Sequence, residues 1–571
     1  MAHSKLLTLF ALGIACNAFA QKRPRVDAEL LAATQSATAQ SEFDIVVVYE
    51  DDDDDNSRRG REDKVRNLGG KSYRHHAAIR VGTLRANRAL LEELKKDGKI
   101  RSIGPDRKVS AAAAGSTQFA PAKVRTTTGL TTTLASNTSG DNVGVAVIDS
   151  GVSNLPAFGK TGKCNTSRIV YSENFASDSG TNDLYGHGTH VASILGANAS
   201  CDGSTSNGVA AEVKIVNLRV LNGLGIGTDS GVVAAIDRAI QLKSNYNIRV
   251  MNLSLGRGVT MSFVNDPLCQ AVERAWKAGI VVVTAAGNMG RDNSHGTQGY
   301  ATIAVPGADP FVITVGAVRD PNPGVSTRTD DTITSYSSKG PTLVDRVVKP
   351  DLVAPGNMVV ARTAFPSTLT TLFAGNTTYL DDSNGKYFML SGTSMAAPAV
   401  AGAAALLIEK DSTLTPDQVK ARLMKTAWKG MAATASVYDS LTNTNYNIQQ
   451  DLFTVGAGYL DIAAALASTE KIGSTQSAIS PRVVMQSNGK VVLTKTYSNV
   501  TGLNVIWGTN VIWGENVIWG NSLLLANNVI WGDSVIWGAN VSSGYNVIWG
   551  ENVIWGECFP FSIALTAVGD K

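Results

Sequence analysis

At 571 residues the chain is too long for one ordinary core, since domains run about 100 to 200 residues, so several segments with separate tasks are expected. A net charge of +3 with 17% charged residues leaves no single-sign field, which argues against nucleic acid or an anionic membrane surface as partner. The 43% hydrophobic content is that of a soluble globular protein.

Residues 1–20 read as a secretory signal peptide. A short basic start (His3, Lys5) precedes the apolar run Leu6 to Cys16, and Ala18-Phe19-Ala20 supplies a small-x-small cleavage pattern. The apolar run falls well short of the ~20 residues that span a bilayer, which disfavours a membrane anchor. A lipid-anchoring signal ending at Cys16 is poorly matched at Gly13. The expected location is therefore secreted and extracellular, or else periplasmic or cell-surface associated. Without the leader, Cys164, Cys201, Cys269 and Cys558 remain, an even set suited to an oxidising compartment. Cys164 with Cys201 is the favoured pair, and unpaired thiols are the alternative.

Residues 21–115 suggest a small α+β unit. It has an apolar strand from Phe43 to Glu50, a solvated acidic loop from Asp51 to Asp55, and a second strand near Tyr73 to Val81. An amphipathic helix follows, with Leu84, Leu90, Leu91 and Leu94 on one face, then a last strand before Lys108. The run Ala111 to Gly115 suits a linker or a processing site.

Between Asn142 and Leu466 short apolar strands alternate with helices. The strands are Val143 to Asp149, Val213 to Leu221, Ile248 to Gly256, Gly279 to Asn288 and Pro310 to Val318. Near-continuous apolar strands between helices predict a parallel sheet covered on both faces. Active residues belong at the carboxyl ends of such strands, where Asp149 and Asn288 stand. Residues 469–503 read as a linker or short β segment. A hexapeptide repeat, NVIWGx and variants, fills 504–557, and 558–571 form a C-terminal tail. Three extended apolar residues followed by a Gly turn make a strand-turn unit that can stack as a β-solenoid, or order on a surface or another copy of itself.

Three motifs carry the chemistry. In VIDSGV (Val147 to Val152) an Asp leaves a buried strand; in GHGTHVAS (Gly186 to Ser193) His187 stands between glycines; in SGTSMAAPAVAGAAALL (Ser391 to Leu407) Ser394 opens a small-residue helix. A serine hydroxyl needs an imidazole to take its proton, and the imidazole needs a carboxylate to hold its tautomer. Asn288, in AAGN, offers an amide beside the Ser394 backbone N–H for a developing oxyanion. Singly, each residue has a plainer explanation: Asp149 as a turn cap, Ser394 as a helix N-cap. The three motifs and AAGN, occurring together in order, remove it.

Over roughly Val124 to Leu466 these motifs resemble the subtilase family, in its order Asp, His, Ser. The resemblance implies an α/β, subtilisin-like three-layer fold with a mostly parallel sheet over 124–466, and peptide-bond hydrolysis through an acyl-enzyme by Asp149, His187, Ser394 and Asn288. It also implies Ser254, Leu255 and Gly256 as an edge of the substrate groove, with Ala285, Ala286 and Gly287 lining the pocket for the residue before the cut. The unit 21–115 resembles the family's ferredoxin-like inhibitory propeptide, removed between Val109 and Val124; a permanent accessory domain is the alternative. Partners are then polypeptide substrates and the chain's own propeptide. No cofactor is required. Structural calcium is common in the family, but neither the loop Asn198 to Gly208 nor Asp381-Asp382 forms a recognisable ligand series. An insertion around Ala361 to Lys386 is expected to form a rim of the groove. The competing function is a surface-binding or self-assembling protein whose repeat does the main work. An esterase of the α/β-hydrolase type is disfavoured, because Ser394 lies in G-T-S-M-A.

Overall fold

The computed structural model describes residues 23–111 and 124–493 apart from short segments (37, 39–40, 52–54, 131–133, 135–136, 204–207, 294–296, 322–326, 379–385, 440–442, 474–476 and 486–490), with the dipeptides Asn528–Val529 and Asn546–Val547. The expected leader 1–20, the linker 112–123, Asp381-Asp382, Cys558 and nearly all of the repeat lie outside the described residues. The chain divides into two compact units, one of residues 23–75 and 80–105, the other of 76–79 and everything from Asp106 onward.

In the smaller unit, strands Glu42–Tyr49, Lys71–His76, Val81–Asn87 and Ile100–Pro105 alternate with helices Asp55–Asn67 and Arg88–Leu94, and Arg25–Val26 adds an edge strand. Its core gathers Ile45, Val47, Leu84, Leu90, Leu91, Leu94 and Ile103. The expected helix is shorter than its leucine spacing suggested. Leu84 belongs to the strand Val81–Asn87, and the helix starts only where the Asn87 side chain accepts the Leu90 N–H at 2.9 Å. Such a cap ends a strand and opens a helix at once. Leu84 joins the other leucines through the tertiary core, not through helical periodicity.

The larger unit is built on one sheet in the order Ile169–Asn174, Lys214–Arg219, Gly144–Asp149, Ile248–Leu253, Val281–Ala285, Ile313–Arg319, with Leu352–Pro355 paired beyond the last and Thr332–Ile333 as an antiparallel edge. All other pairings are parallel. Gly144–Asp149 is buried along its whole length, as a strand between two helical layers must be. Helix Thr393–Lys410 packs on the central strands and against His187–Gly196, while Asp229–Gln241 packs against Pro267–Lys277. Strands Val483–Met485 and Val491–Leu493 form an antiparallel pair after the last helix. Cys164 and Cys201 are joined in a disulfide, and Cys269 is a buried free thiol. No helix among the described residues is long and apolar enough to cross a membrane.

At the start of strand Leu352–Pro355 lies a buried ionic cluster. Asp351 accepts Lys349 Nζ at 2.7 Å and stands 3.2 Å from Lys420 Nζ, and both ammonium groups also reach backbone carbonyls between Pro310 and Val312. Burial alone would raise the Asp351 pKa, but the two ammonium groups more than reverse that and hold it below its ordinary value. Asp351→Ala would leave two buried cations facing each other. It is expected to cost about 3–5 kcal/mol, the range for breaking a buried ion pair by removing one partner, read as a lower urea midpoint for unfolding.

Candidate active site

Asp149 ends the strand Gly144–Asp149, and His187 opens the helix His187–Gly196. The two meet with His187 Nδ1 2.6 Å from Asp149 Oδ1, and both are fully buried. This approach is allowed by glycine. A Cβ on Gly188 would strike Gly151 O and crowd Asp149, and Gly186 has φ +100° with Ser367 where its Cβ would stand. The glycines on either side of His187 thus permit a close backbone contact between helix and strand.

Asp183 was not among the expected site residues, yet it organises both loops. Its carboxylate accepts Ser150 Oγ (2.8 Å), Gly186 N (2.7 Å) and Thr189 N (2.8 Å), and Ser150 Oγ in turn accepts Gly188 N at 2.9 Å. Burial pushes the Asp183 carboxyl up from its ordinary value, against hydrogen bonds that act to lower it. The available signal was an Asp just before a helix start, the position that serves orphan N–H groups. His190 is buried with Nε2 2.9 Å from Phe388 O, and burial drives its pKa down to about 3. It packs as a neutral ring.

Ser394 lies in the first turn of Thr393–Lys410. Its Oγ donates to Ser254 O at 3.0 Å, and Ser254 Oγ donates to Ser394 O at 2.9 Å, a reciprocal clasp. His187 Nε2 and Asp149 Oδ2 carry no hydrogen bond. Asn288 Oδ1 accepts both the N–H (3.0 Å) and the hydroxyl (2.9 Å) of Thr393, which directs the amide toward the residue before Ser394. Thr393 Oγ1 also accepts Gly287 N at 3.1 Å, so it links the two loops.

Ser254, Leu255 and Gly256 continue from the central strand Ile248–Leu253, but Leu255–Gly256 leaves the main sheet. It forms a three-stranded sheet in which Lys108–Ala111 is the middle strand, antiparallel to Ile226–Thr228 on one side and Leu255–Gly256 on the other. Ala285, Ala286 and Gly287 lie at the end of Val281–Ala285, with Gly287 at φ +104°. The Ala304 methyl faces both Gly256 and Gly287, which brings those two segments close together. Within the insertion around Ala361 to Lys386, helix Thr368–Leu372 binds the carbonyls of Leu184 and Tyr185 through Thr368 N and Leu369 N, each at 3.0 Å. It therefore abuts the loop that leads into His187. Leu184, Leu224 and Leu372 are exposed there.

In the loop that starts at Asn198, Asp202 Oδ2 takes the Arg362 guanidinium at 2.5 Å. Among the described residues no group of three or more His, Cys, Asp and Glu gathers as for a metal ion.

A serine in the first turn of a helix and a buried imidazole–carboxylate contact at the carboxyl edge of a parallel sheet are features of serine hydrolases. The model of the Subtilase family matches residues 140–458. Serine protease AprX of Bacillus subtilis is 35% identical over 343 residues, covering 58% of this chain and 70% of that protein. Subtilisin E of the same organism is 31% identical over 398 residues, covering 70% and 88%. Among solved structures, fervidolysin from Fervidobacterium pennivorans, a keratinolytic enzyme related to subtilisin, superposes with a TM-score of 0.56 at 20% identity, covering 83% of this chain and 67% of that one; it speaks to the fold. The chain belongs to the subtilase family, with its subtilisin-like α/β fold, and is a subtilisin-type serine endopeptidase.

Asp183→Asn places an amide donor against N–H and O–H donors in a buried site, at a cost of about 1–3 kcal/mol. A lower melting temperature is expected, together with a fall in kcat at nearly constant KM on a peptide substrate, because the His187 helix start is held by this carboxylate.

Proposed function

We propose that Asp149, His187 and Ser394 are the catalytic triad of a secreted endopeptidase made as a self-processed precursor, with Asn288 as oxyanion donor. The single observation that carries this reading is the 2.6 Å contact between His187 Nδ1 and Asp149 Oδ1. With Nδ1–H donated to the carboxylate, Nε2 is left as the acceptor a general base requires. Ser394 Oγ, turning from Ser254 O toward that nitrogen, gives up its proton as it attacks the substrate carbonyl. The backbone N–H of Ser394 and the Asn288 amide receive the oxyanion. His187 then passes the proton to the departing amine, leaving an acyl-enzyme that a water, activated by the same imidazole, hydrolyses.

In this reading Ser254, Leu255 and Gly256 pair with the substrate backbone, and Ala285, Ala286 and Gly287 line the pocket for the residue before the cut. Residues 1–20 direct secretion, 21–115 are the inhibitory propeptide, and 124–466 form the peptidase domain. Support for the inhibitory role comes from Lys108–Ala111, which takes the middle place between two groove edges. Its register also narrows the processing site. Ala111 pairs with Leu255 and Ser110 with Gly256, and Ser254 O adjoins the Ser394 hydroxyl. Taking the next residue of the sequence, Ala112, as the one before the cut makes Ala112–Ala113 the bond expected to be cut, which narrows the propeptide's far bound from 115 to 112. The repeat 504–557 would act beside the peptidase as a surface or self-association element. Its described dipeptides Asn528–Val529 and Asn546–Val547 pair in parallel, three hexapeptides apart, as a stacked repeat would.

Intact mass of the secreted protein tests the reading. The wild type should begin at Ala113, and Ser394→Ala should keep the amino-terminal unit; identical masses for the two would remove self-processing. Asn288→Ala is expected to lower kcat about 10²- to 10³-fold, the usual effect of losing one oxyanion donor, on a peptide anilide cleaved by the matured enzyme.

A further inference from the structure

The two strands that flank Lys108–Ala111 are not hydrogen-bonded to each other; each pairs only with the middle strand. Once that place is vacated, no backbone ladder fixes their separation. An inserted chain pairs on both sides only if the edges stand about 9–10 Å apart, twice the spacing of neighbouring strands. Something else must hold that width.

Each edge strand runs directly into a charged residue. Ile226–Thr228 is followed by Asp229, the first residue of helix Asp229–Gln241, and Leu255–Gly256 is followed by Arg257. Arg257 Nε donates to Asp229 Oδ1 at 2.9 Å, and Nη2 donates to Oδ2 at 2.8 Å, a bidentate pair. Nη2 also reaches Asp266 Oδ2 at 2.9 Å, while Asp266 Oδ1 caps helix Pro267–Lys277 by accepting Leu268 N and Cys269 N. The three side chains are only 6%, 0% and 0% exposed. The Arg257 backbone is fixed by reciprocal bonds with Val305. The guanidinium therefore has a rigid seat, and its planar fork transmits position from one helix start to the opposite strand.

We propose that the Arg257–Asp229 ion pair is a clamp that sets the width of the substrate groove, and so determines binding of substrates long enough to reach Ile226–Thr228. Arg257 and Asp229 are positioning residues; neither touches the reacting atoms. The clamp rests on the proposed use of Leu255–Gly256 as a substrate-binding edge. Lys108 pairs with Thr228, Val109 with Gly227 and Ser110 with Ile226, so the second edge is engaged only by residues three or more positions before the cut. A single-residue substrate never meets it.

The test compares matured wild type, Arg257→Lys and Asp229→Asn on two substrates, an acetyl-alanine ester and the anilide of acetyl-Val-Ser-Ala-Ala. Asp229→Asn keeps the guanidinium on Asp266 and removes only the charged link between the edges. For the tetrapeptide, KM is expected to rise about tenfold, as for loss of one charge-assisted hydrogen bond, with kcat little changed, while kcat/KM on the ester holds. Should neither single variant fold, the double variant Arg257→Met/Asp229→Leu removes both charges together and is expected to show the same split. An equal loss on both substrates, or no change on either, overturns the clamp. A wild type that hydrolyses the ester but prefers no tetrapeptide over it overturns the groove reading instead.

Discussion

A wholly buried carboxylate and imidazole 2.6 Å apart dictate how closely a helix must approach the end of a parallel strand. That closeness explains residues with no chemistry of their own. Gly188 has no room for a Cβ, and Asp183 collects the N–H groups that the helix start would otherwise bury without partners. Ser150, immediately after Asp149, bridges the two by donating to Asp183 and accepting from Gly188. The polar atoms around the pair are satisfied chiefly by one another, so strand end and helix start move as one piece.

Much of the peptidase unit was legible because its central strands are near-continuous apolar runs, unlike half-exposed ones. Val143 to Asp149 is found as Gly144–Asp149 and Val213 to Leu221 as Lys214–Arg219. The stretch Ile248 to Gly256 looked like one strand and is two. Leu255–Gly256 turns out of the main sheet after Ser254, a change of partner that an apolar run does not record. Strand Ile169–Asn174 sits at the sheet edge, is only partly buried and has the mixed sequence IVYSEN, so it gave no apolar signal. Helix Asp55–Asn67 is dominated by charged residues and showed no periodic face.

Of the residues named from the motifs, Asp149 meets His187, Ser394 meets Ser254 and Asn288 meets Thr393, but the supports of these contacts were hidden. Thr393 read as part of a motif; in the structure it joins Asn288 and Gly287 through one hydroxyl. Ala304 is distant in sequence from the motifs, and Arg257, although next to Gly256, has no motif partner in sequence; both acquire meaning only through the contacts of Gly256, Gly287 and Asp229. Their roles depend on which strands become neighbours.

The strand Lys108–Ala111 raises a question of concentration. A free peptide reaches a groove at whatever level the solution supplies, whereas a segment tethered through a short linker presents itself at millimolar effective concentration. In the proposed inhibitory role, extended substrates would compete with that local excess while the tether is intact, and a single cut would turn the same segment into an ordinary ligand subject to dilution. The proposed change from quiescent to working enzyme is then a matter of dispersal, and crowded or dilute surroundings should alter its pace with no residue beside the strand moved.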